Sequence, residues 1–336
     1  MGANTKIQWA HHTFNPWRGC VKVAAGCVNC YAESQSKRNP KTLGVWGPNG
    51  TRVVASEAMW RQPLKWDKAA ACCCRAELSD YAHESGCPQI DRRRVFCGSL
   101  CDVFEDWRLP VVNSCGEQLF VHVNGTMDFY QHGRQANLDD VRARLFRLID
   151  STPNLDWLLL TKRPENVRGT LPIKTGRRDA IKDGRVNIEA WRRKNVWLGT
   201  SIACRDDLKN LSELRKCKDL AAKIFVSAEP LIEDLGNVDW SGIDWVIVGG
   251  ESGPNARPCD IAWIRSIVRQ CREAGVPVFV KQLGSDSFRV VRGGPAVIDG
   301  GVAIHSVSHE FTNKFRDPKG GDPAEWPEDV RVREVP

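Results

Sequence analysis

The stretch Asp156-Trp157-Leu158-Leu159-Leu160-Thr161 is apolar without a break and polar at both ends. A strand with one wet face would carry a polar residue at every second position. This one carries none, so it reads as a strand buried on both faces, as in a parallel sheet. Just upstream the period changes. From Leu138 to Ser151, Val141, Leu145, Leu148 and Ile149 share one helical face, and Asp139-Asp140 suit a helix start. The same two patterns recur outward. Apolar runs cover 94–99 (RVFCGS), 195–201 (NVWLGTS), 223–229 (KIFVSAE), 244–250 (DWVIVGG) and 276–282 (VPVFVKQ). Helical patterns cover 206–220 and 262–274, the second stopped by Gly275-Val276-Pro277. Strand–helix alternation with right-handed crossovers predicts an α/β fold. A short first strand near 8–14 brings the set to about seven, so the expectation is a partial or modified (β/α) barrel of mostly parallel strands.

On this reading residues 1–284 form the barrel-like body, with insertions at about 68–93, 115–135 and 165–194. Residues 285–336 turn rich in Gly, Pro and Asp and read as a loop-rich C-terminal extension. No run of 18 apolar residues occurs, so no membrane partner is expected, and the polar start Met1 to Gln8 lacks an apolar signal core. The expected location is the cytoplasm. Fourteen cysteines then imply metal-binding thiols in a reducing compartment, not disulfides. Cys72, Cys73, Cys74 and Cys87 are candidates for an auxiliary metal site, while Cys204, Cys217, Cys259 and Cys271 read as ordinary thiols.

The most specific chemistry lies in 15–33, NPWRGCVKVAAGCVNCYAE, where Cys20, Cys27 and Cys30 are spaced C-x6-C-x2-C in a loop with Gly19 and Gly26. Glycine lets backbone wrap around a soft metal centre. Zinc sites and closed iron–sulfur clusters want four protein ligands, whereas three thiolates leave one iron of a [4Fe–4S] cube open. The alternatives are buried core cysteines, or a zinc knuckle completed by His11, His12 or a distant cysteine.

In α/β sheets ligands bind at the carboxyl ends of the strands. Those ends are polar here: Ser99 and Asp102, Thr161-Lys162-Arg163, Thr200-Ser201, Ser227 and Glu229, Gly249-Gly250-Glu251-Ser252-Gly253, and Lys281-Gln282. The Gly-Gly-Glu-Ser-Gly turn stands out, because two glycines permit close backbone approach while Glu251 can hold an amine or a ribose hydroxyl. The net charge is 48 − 41 = +7, and residues 162–194 alone hold eleven Lys/Arg against four Asp/Glu. Arg177, Arg178, Arg192, Arg193 and Lys194, beside Trp191, are candidate phosphate contacts for nucleic acid, the alternative being a solvated basic face. Arg92-Arg93-Arg94 is a smaller basic cluster, and Trp17, Trp107 and Trp191 are candidate stacking surfaces for a flipped base.

The cysteine loop resembles that of the radical S-adenosylmethionine (SAM) superfamily, and more closely a phage-associated branch carrying NPxxGC…GCxNCYAE. The common superfamily spacing is C-x3-C-x2-C, so the first gap here is longer. Ser99 with Asp102 and Phe104, Thr161-Lys162-Arg163-Pro164, Trp197-Leu198-Gly199, Glu229-Pro230, the 248–253 turn, Arg257, Lys281-Gln282 and the ending Gly321-Asp322-Pro323-Ala324-Glu325-Trp326-Pro327 extend the likeness over most of the chain. The resemblance implies a [4Fe–4S] cluster on Cys20, Cys27 and Cys30, with SAM chelating the open iron and yielding a 5′-deoxyadenosyl radical. It implies SAM-orienting roles for Ser201, Ser227, Gly249, Gly250, Glu251 and Ser252, and substrate contacts at Asp102, Lys162, Glu229 and Lys281. It further implies an electron donor such as flavodoxin or ferredoxin. The leading substrate is an amino-acid-decorated thymidine in phage DNA, isomerised within the host cytoplasm as part of DNA hypermodification that evades restriction. The rivals are a DNA repair lyase resembling spore photoproduct lyase and a non-catalytic nucleic-acid-binding protein with a structural metal site.

Overall fold

In a computed structural model the described residues are 5–70, 92–122, 127–128, 133–172, 181–182, 185–186, 192–292, 297–299, 302–304, 307–311 and 315–336. The apolar runs form β1 (His12–Phe14), β2 (Arg93–Cys97), β3 (Leu155–Thr161), β4 (Arg193–Ser201), β5 (Ala221–Ala228), β6 (Trp245–Gly249) and β7 (Val278–Gln282). These seven hydrogen-bond in sequence order. Neighbouring strands run parallel, with Val95 against Trp157, Leu198 against Leu159, Val226 against Val246 and Ile247 against Phe279. The fold is α/β, and seven strands in an open order stop short of the closed eight of a full barrel. All five residues of β6 are buried, as are all but Leu160 in β3, which is what an unbroken apolar run requires of a strand covered on both faces.

Three helices can be followed from their sequence signals. Tyr31–Arg38 forms α1, Leu138–Asp150 forms α2 and Ile261–Glu273 forms α3. The cap of α2 is Asn137, one position before the expected start: its side chain accepts from the amides of Asp139 and Asp140, and Asp140 accepts from the Asn137 amide in return. In α3 the side chain of Asp260 caps the amide of Ala262, and Gly275, at φ 65°, ends the helix in the left-handed region. The pattern at 206–220 is broken into a seven-residue helix, Lys209–Arg215, between two 3-10 turns.

By contacts the chain divides into two compact units. The first holds residues 1–23, 30–200 and 212–224; the second holds 24–29, 201–211 and 225–336. In the second unit the C-terminal stretch carries two antiparallel pairs, Ser287–Arg292 with Val307–Phe311 and Val297–Asp299 with Val302–Ile304. The Gly321-to-Pro327 motif buries Trp326, whose indole donates to the Gly320 carbonyl at 2.9 Å. Among the described residues no helix is long and apolar enough to cross a membrane. Cys72, Cys73, Cys74 and Cys87 lie outside the described residues, as do Arg177, Arg178 and Trp191.

Candidate functional site

In the first unit, Cys20 follows a two-residue strand, Trp17–Arg18, paired antiparallel with Val53–Val54. Gly19 makes the corner at φ +112°, where a Cβ would lie 2.3 Å from the Thr51 carbonyl oxygen. The next peptide is gripped from both sides. The Val21 amide donates to Glu105 Oε1 at 2.9 Å, and its carbonyl accepts from Arg163 Nη2 at 2.8 Å. Arg163 Nη1 lies 3.7 Å from Cys20 Sγ and donates to Asp102 Oδ2 at 2.8 Å.

Behind these groups sits a buried ionic core. Arg52 donates to both Glu105 oxygens, at 2.7 and 2.8 Å, and its guanidinium carbon is 3.7 Å from the Trp107 ring centroid. Asp102 accepts from Thr161 Oγ1, the Lys162 and Phe104 amides and Arg163. Four donors are about what one carboxylate can accept. Asp102 therefore fixes the turn after β3; its oxygens are already used within the protein.

Burial, with the Glu105 and Asp102 charges, pushes the Cys20 thiol up to about 12, against the pull of Arg163. At neutral pH a metal would thus displace a proton to bind there.

In the second unit, Cys27 ends a 3-10 turn, Ala25–Cys27, none of whose residues is buried. Asn29 donates to Glu251 Oε2 at 3.0 Å and to the Asn255 carbonyl at 2.8 Å. Arg257 donates to the same carboxylate through Nε at 2.9 Å and Nη2 at 2.6 Å, and through Nη1 to the Ala25 carbonyl at 2.9 Å. Burial alone would raise the Glu251 carboxyl, but these hydrogen bonds hold it below the usual carboxylate range.

The two glycines before Glu251 also have an internal reason. A Cβ on Gly250 would stand 2.2 Å from the Leu283 carbonyl oxygen, and one on Gly249 would stand 2.9 Å from that of Gln282. Close approach is real here, but the partner is the backbone after β7. Ser201 and Ser227 are buried at the ends of β4 and β5, and Ser252 is half-buried. Glu229 and Lys281, both half-buried, form an ion pair, and Gln282 donates to Glu229 at 3.4 Å and to the Gly250 carbonyl at 2.9 Å.

Cys20, Cys27 and Cys30 are free and half-buried. Cys30 stands at the N-terminal cap of α1, with no side-chain cap bond to occupy its sulfur. Cys97, Cys101, Cys204, Cys217, Cys259 and Cys271 are buried, and burial raises each of their thiols, to about 11 for Cys217 and about 12 for Cys259 and Cys271. Among the described residues no three His, Cys, Asp or Glu side chains are gathered to hold an ion. The fit to a soft metal is therefore one of donor chemistry: three half-buried thiols without disulfide partners on a glycine-turned loop whose backbone is held. The histidines proposed for a zinc knuckle are engaged elsewhere. His11 Nδ1 accepts from the Arg94 amide at 2.9 Å, and His12 is buried, stacked 4.3 Å from Trp66.

The basic face needs correcting. Arg193, 2 % exposed, pairs with Asp150 at 2.7 Å and lies over Phe146, so it offers no phosphate a charge. Arg192 and Lys194 are exposed. Arg92 pairs with Asp156, and Arg94 donates to the Trp9 carbonyl. Trp17 and Trp107 are buried and cannot stack on a flipped base. The residues that sequence reasoning missed are Arg52, Glu105, Asn29 and the bracing roles of Arg163 and Arg257. Asn29 and Arg163 stand inside quoted motifs and Arg257 was quoted by itself; Glu105 carries no sequence signal.

A family model described as "Protein of unknown function (DUF5131)" matches residues 4–111 and 105–297. No curated protein and no solved structure matches the chain.

Proposed function

The chain belongs to that DUF5131 family, and we propose that it is a radical SAM enzyme whose Cys20, Cys27 and Cys30 hold a [4Fe–4S] cluster. The observation that carries the reading is the grouping of thiols: these three are half-buried together on a braced loop, while six of the other described cysteines are buried and Cys115 stands exposed by itself. Bound there, a cluster with SAM at its open iron supplies one-electron cleavage of a carbon–sulfur bond and a 5′-deoxyadenosyl radical.

The chain's own residues supply the setting. Arg163 places a positive charge beside the Cys20 sulfur and, with Glu105, holds the Val21 peptide. Asp102 orients Arg163 and the turn of Thr161 and Lys162. Asp102 and Glu251 are buried, whereas the paired Glu229 and Lys281 are half-buried, so that pair is the polar group best suited to meet SAM or substrate. The substrate carried forward, an amino-acid-decorated thymidine in DNA, rests on the resemblance of the cysteine loop and on the exposed Arg192 and Lys194.

Anaerobic reconstitution tests the reading. The expected product is a brown protein with about four irons per chain that releases 5′-deoxyadenosine from SAM on reduction. Cys20→Ala, Cys27→Ala and Cys30→Ala should each lose both properties. A colourless protein holding zinc, with no SAM cleavage, would overturn it.

A further inference from the structure

We infer that Glu251 is a positioning residue for the cysteine loop: with Arg257 and Asn29 it forms a clasp that fixes the turn carrying Cys27. The clasp deepens the radical SAM reading and rests on it for its purpose, not for its existence. Glu251 is 5 % exposed, and its carboxylate receives Asn29 Nδ2 at 3.0 Å, the Arg257 amide at 2.9 Å, Arg257 Nε at 2.9 Å and Arg257 Nη2 at 2.6 Å. Those four donors fill about the whole acceptor capacity of a carboxylate. A carboxylate meant to hold a ligand amine would keep an oxygen turned to open space.

The far side of the clasp reaches the loop. The Ala25 carbonyl accepts from Arg257 Nη1 at 2.9 Å and from the Val28 amide at 3.2 Å, while the Cys27 amide donates to Ala24 at 2.9 Å. One guanidinium therefore joins a buried carboxylate to the carbonyl that closes the turn. No residue of Ala25–Cys27 is buried, so hydrophobic contact does not hold this turn in place. Charge-assisted, forked hydrogen bonds do. Asn29, between Cys27 and Cys30, extends the grip to the other side of Cys27. The consequence is restraint: the turn that carries Cys27 is held by the fold itself, before any metal binds.

Hydrogen exchange of the metal-free protein, read at the Cys27 and Val28 amides, tests the clasp directly. Arg257→Ala should speed exchange there by roughly ten- to hundredfold, the range expected for losing hydrogen bonds to a charged group. Glu251→Gln should act in the same direction. Arg257→Lys keeps the charge but not the fork, so it should give a smaller increase. Iodoacetamide labelling of buried Cys259 serves as the folding control and should stay at the wild-type level. Unchanged exchange at Cys27 and Val28 in folded Arg257→Ala and Glu251→Gln proteins would overturn the clasp.

A second arm uses reconstituted protein and the time an iron chelator needs to strip it. Arg257→Ala should lose iron several-fold faster than wild type. Wild-type protein that takes up no iron overturns the cluster reading, while the exchange arm still judges the clasp. A variant that exchanges fast yet keeps its iron as wild type does overturns the positioning role.

Discussion

Asp102, in the loop after β2, and Glu251, just past β6, are both carboxylates at strand ends, and both are taken up by an arginine, Arg163 and Arg257 respectively. The two surroundings differ. Around Asp102, Arg163 and the Arg52–Glu105 pair make a centre of two acids and two arginines, all buried. Around Glu251 there is one acid and one arginine, whose side chain stays 25 % exposed. The deep centre is fixed once the unit folds, because parting buried charges is costly. The shallow one has a partly exposed arginine and fewer buried charges to part, so local opening should cost less there. The same acid–arginine chemistry thus gives a deeply buried anchor next to Cys20 and a shallower one next to Cys27.

The largest effect expected from this contrast belongs to Glu105→Gln. It leaves Arg52, fully buried, without its carboxylate, which should destabilise the metal-free protein by about 3–5 kcal/mol in urea unfolding. A loss below about 1 kcal/mol would show that the deep centre is no more fixed than the shallow one. Asp102→Asn should cost less, about 1.5–3 kcal/mol, because Arg163 keeps the Val21 carbonyl and a 3.6 Å contact with Glu105. The same urea titration checks it.

The smallest effect sits outside both regions, at the pair of half-buried Arg144 and exposed Glu57. The hydrogen bonds from Arg144 hold the Glu57 carboxyl below its ordinary range, although burial opposes them. A carboxyl depressed in the folded state adds stability above its unfolded pKa, and that stability is lost as pH falls through the folded value. Glu57→Gln should therefore flatten the acid limb of the stability curve slightly and cost under about 1 kcal/mol at neutral pH. A larger neutral-pH loss would mean that partly exposed pairs in this protein behave like buried ones.

The sheet was legible because strands covered on both faces leave short apolar runs of about three to five residues bounded by polar ones, which are too short for helices. All six runs, and the short one near 8–14, became strands of the sheet. The 138–151 and 262–274 helices were legible from their periodicity; Asp139 and Asp140 do stand in the first turn of the former, and Asn137 caps it. The helix at 206–220 was overstated, since its periodic residues are divided between a short helix and two 3-10 turns. The polar strand ends were read correctly as a concentration of charge, but sequence cannot say what a charge faces. Asp102 and Glu251 looked like ligand contacts and turned inward to arginines 61 and 6 residues away. Arg193 looked like a surface cation and was claimed by Asp150, 43 residues distant in sequence. Glu105 was invisible because nothing in its neighbours marks a pair formed with Arg52, 53 residues earlier.

The contact at Gly250 bears on how the protein could be re-engineered. With the Leu283 carbonyl 2.2 Å from where a Cβ would stand, every substitution at 250 forces backbone to move. A randomised library at that codon would enrich glycine under any selection at all, whether for a new ligand, a new product or mere expression. Its enrichment would report the join between two chain segments and carry no information about specificity. Diversity aimed at altered chemistry belongs instead at Glu229, Lys281 and Ser252, whose side chains are half-buried.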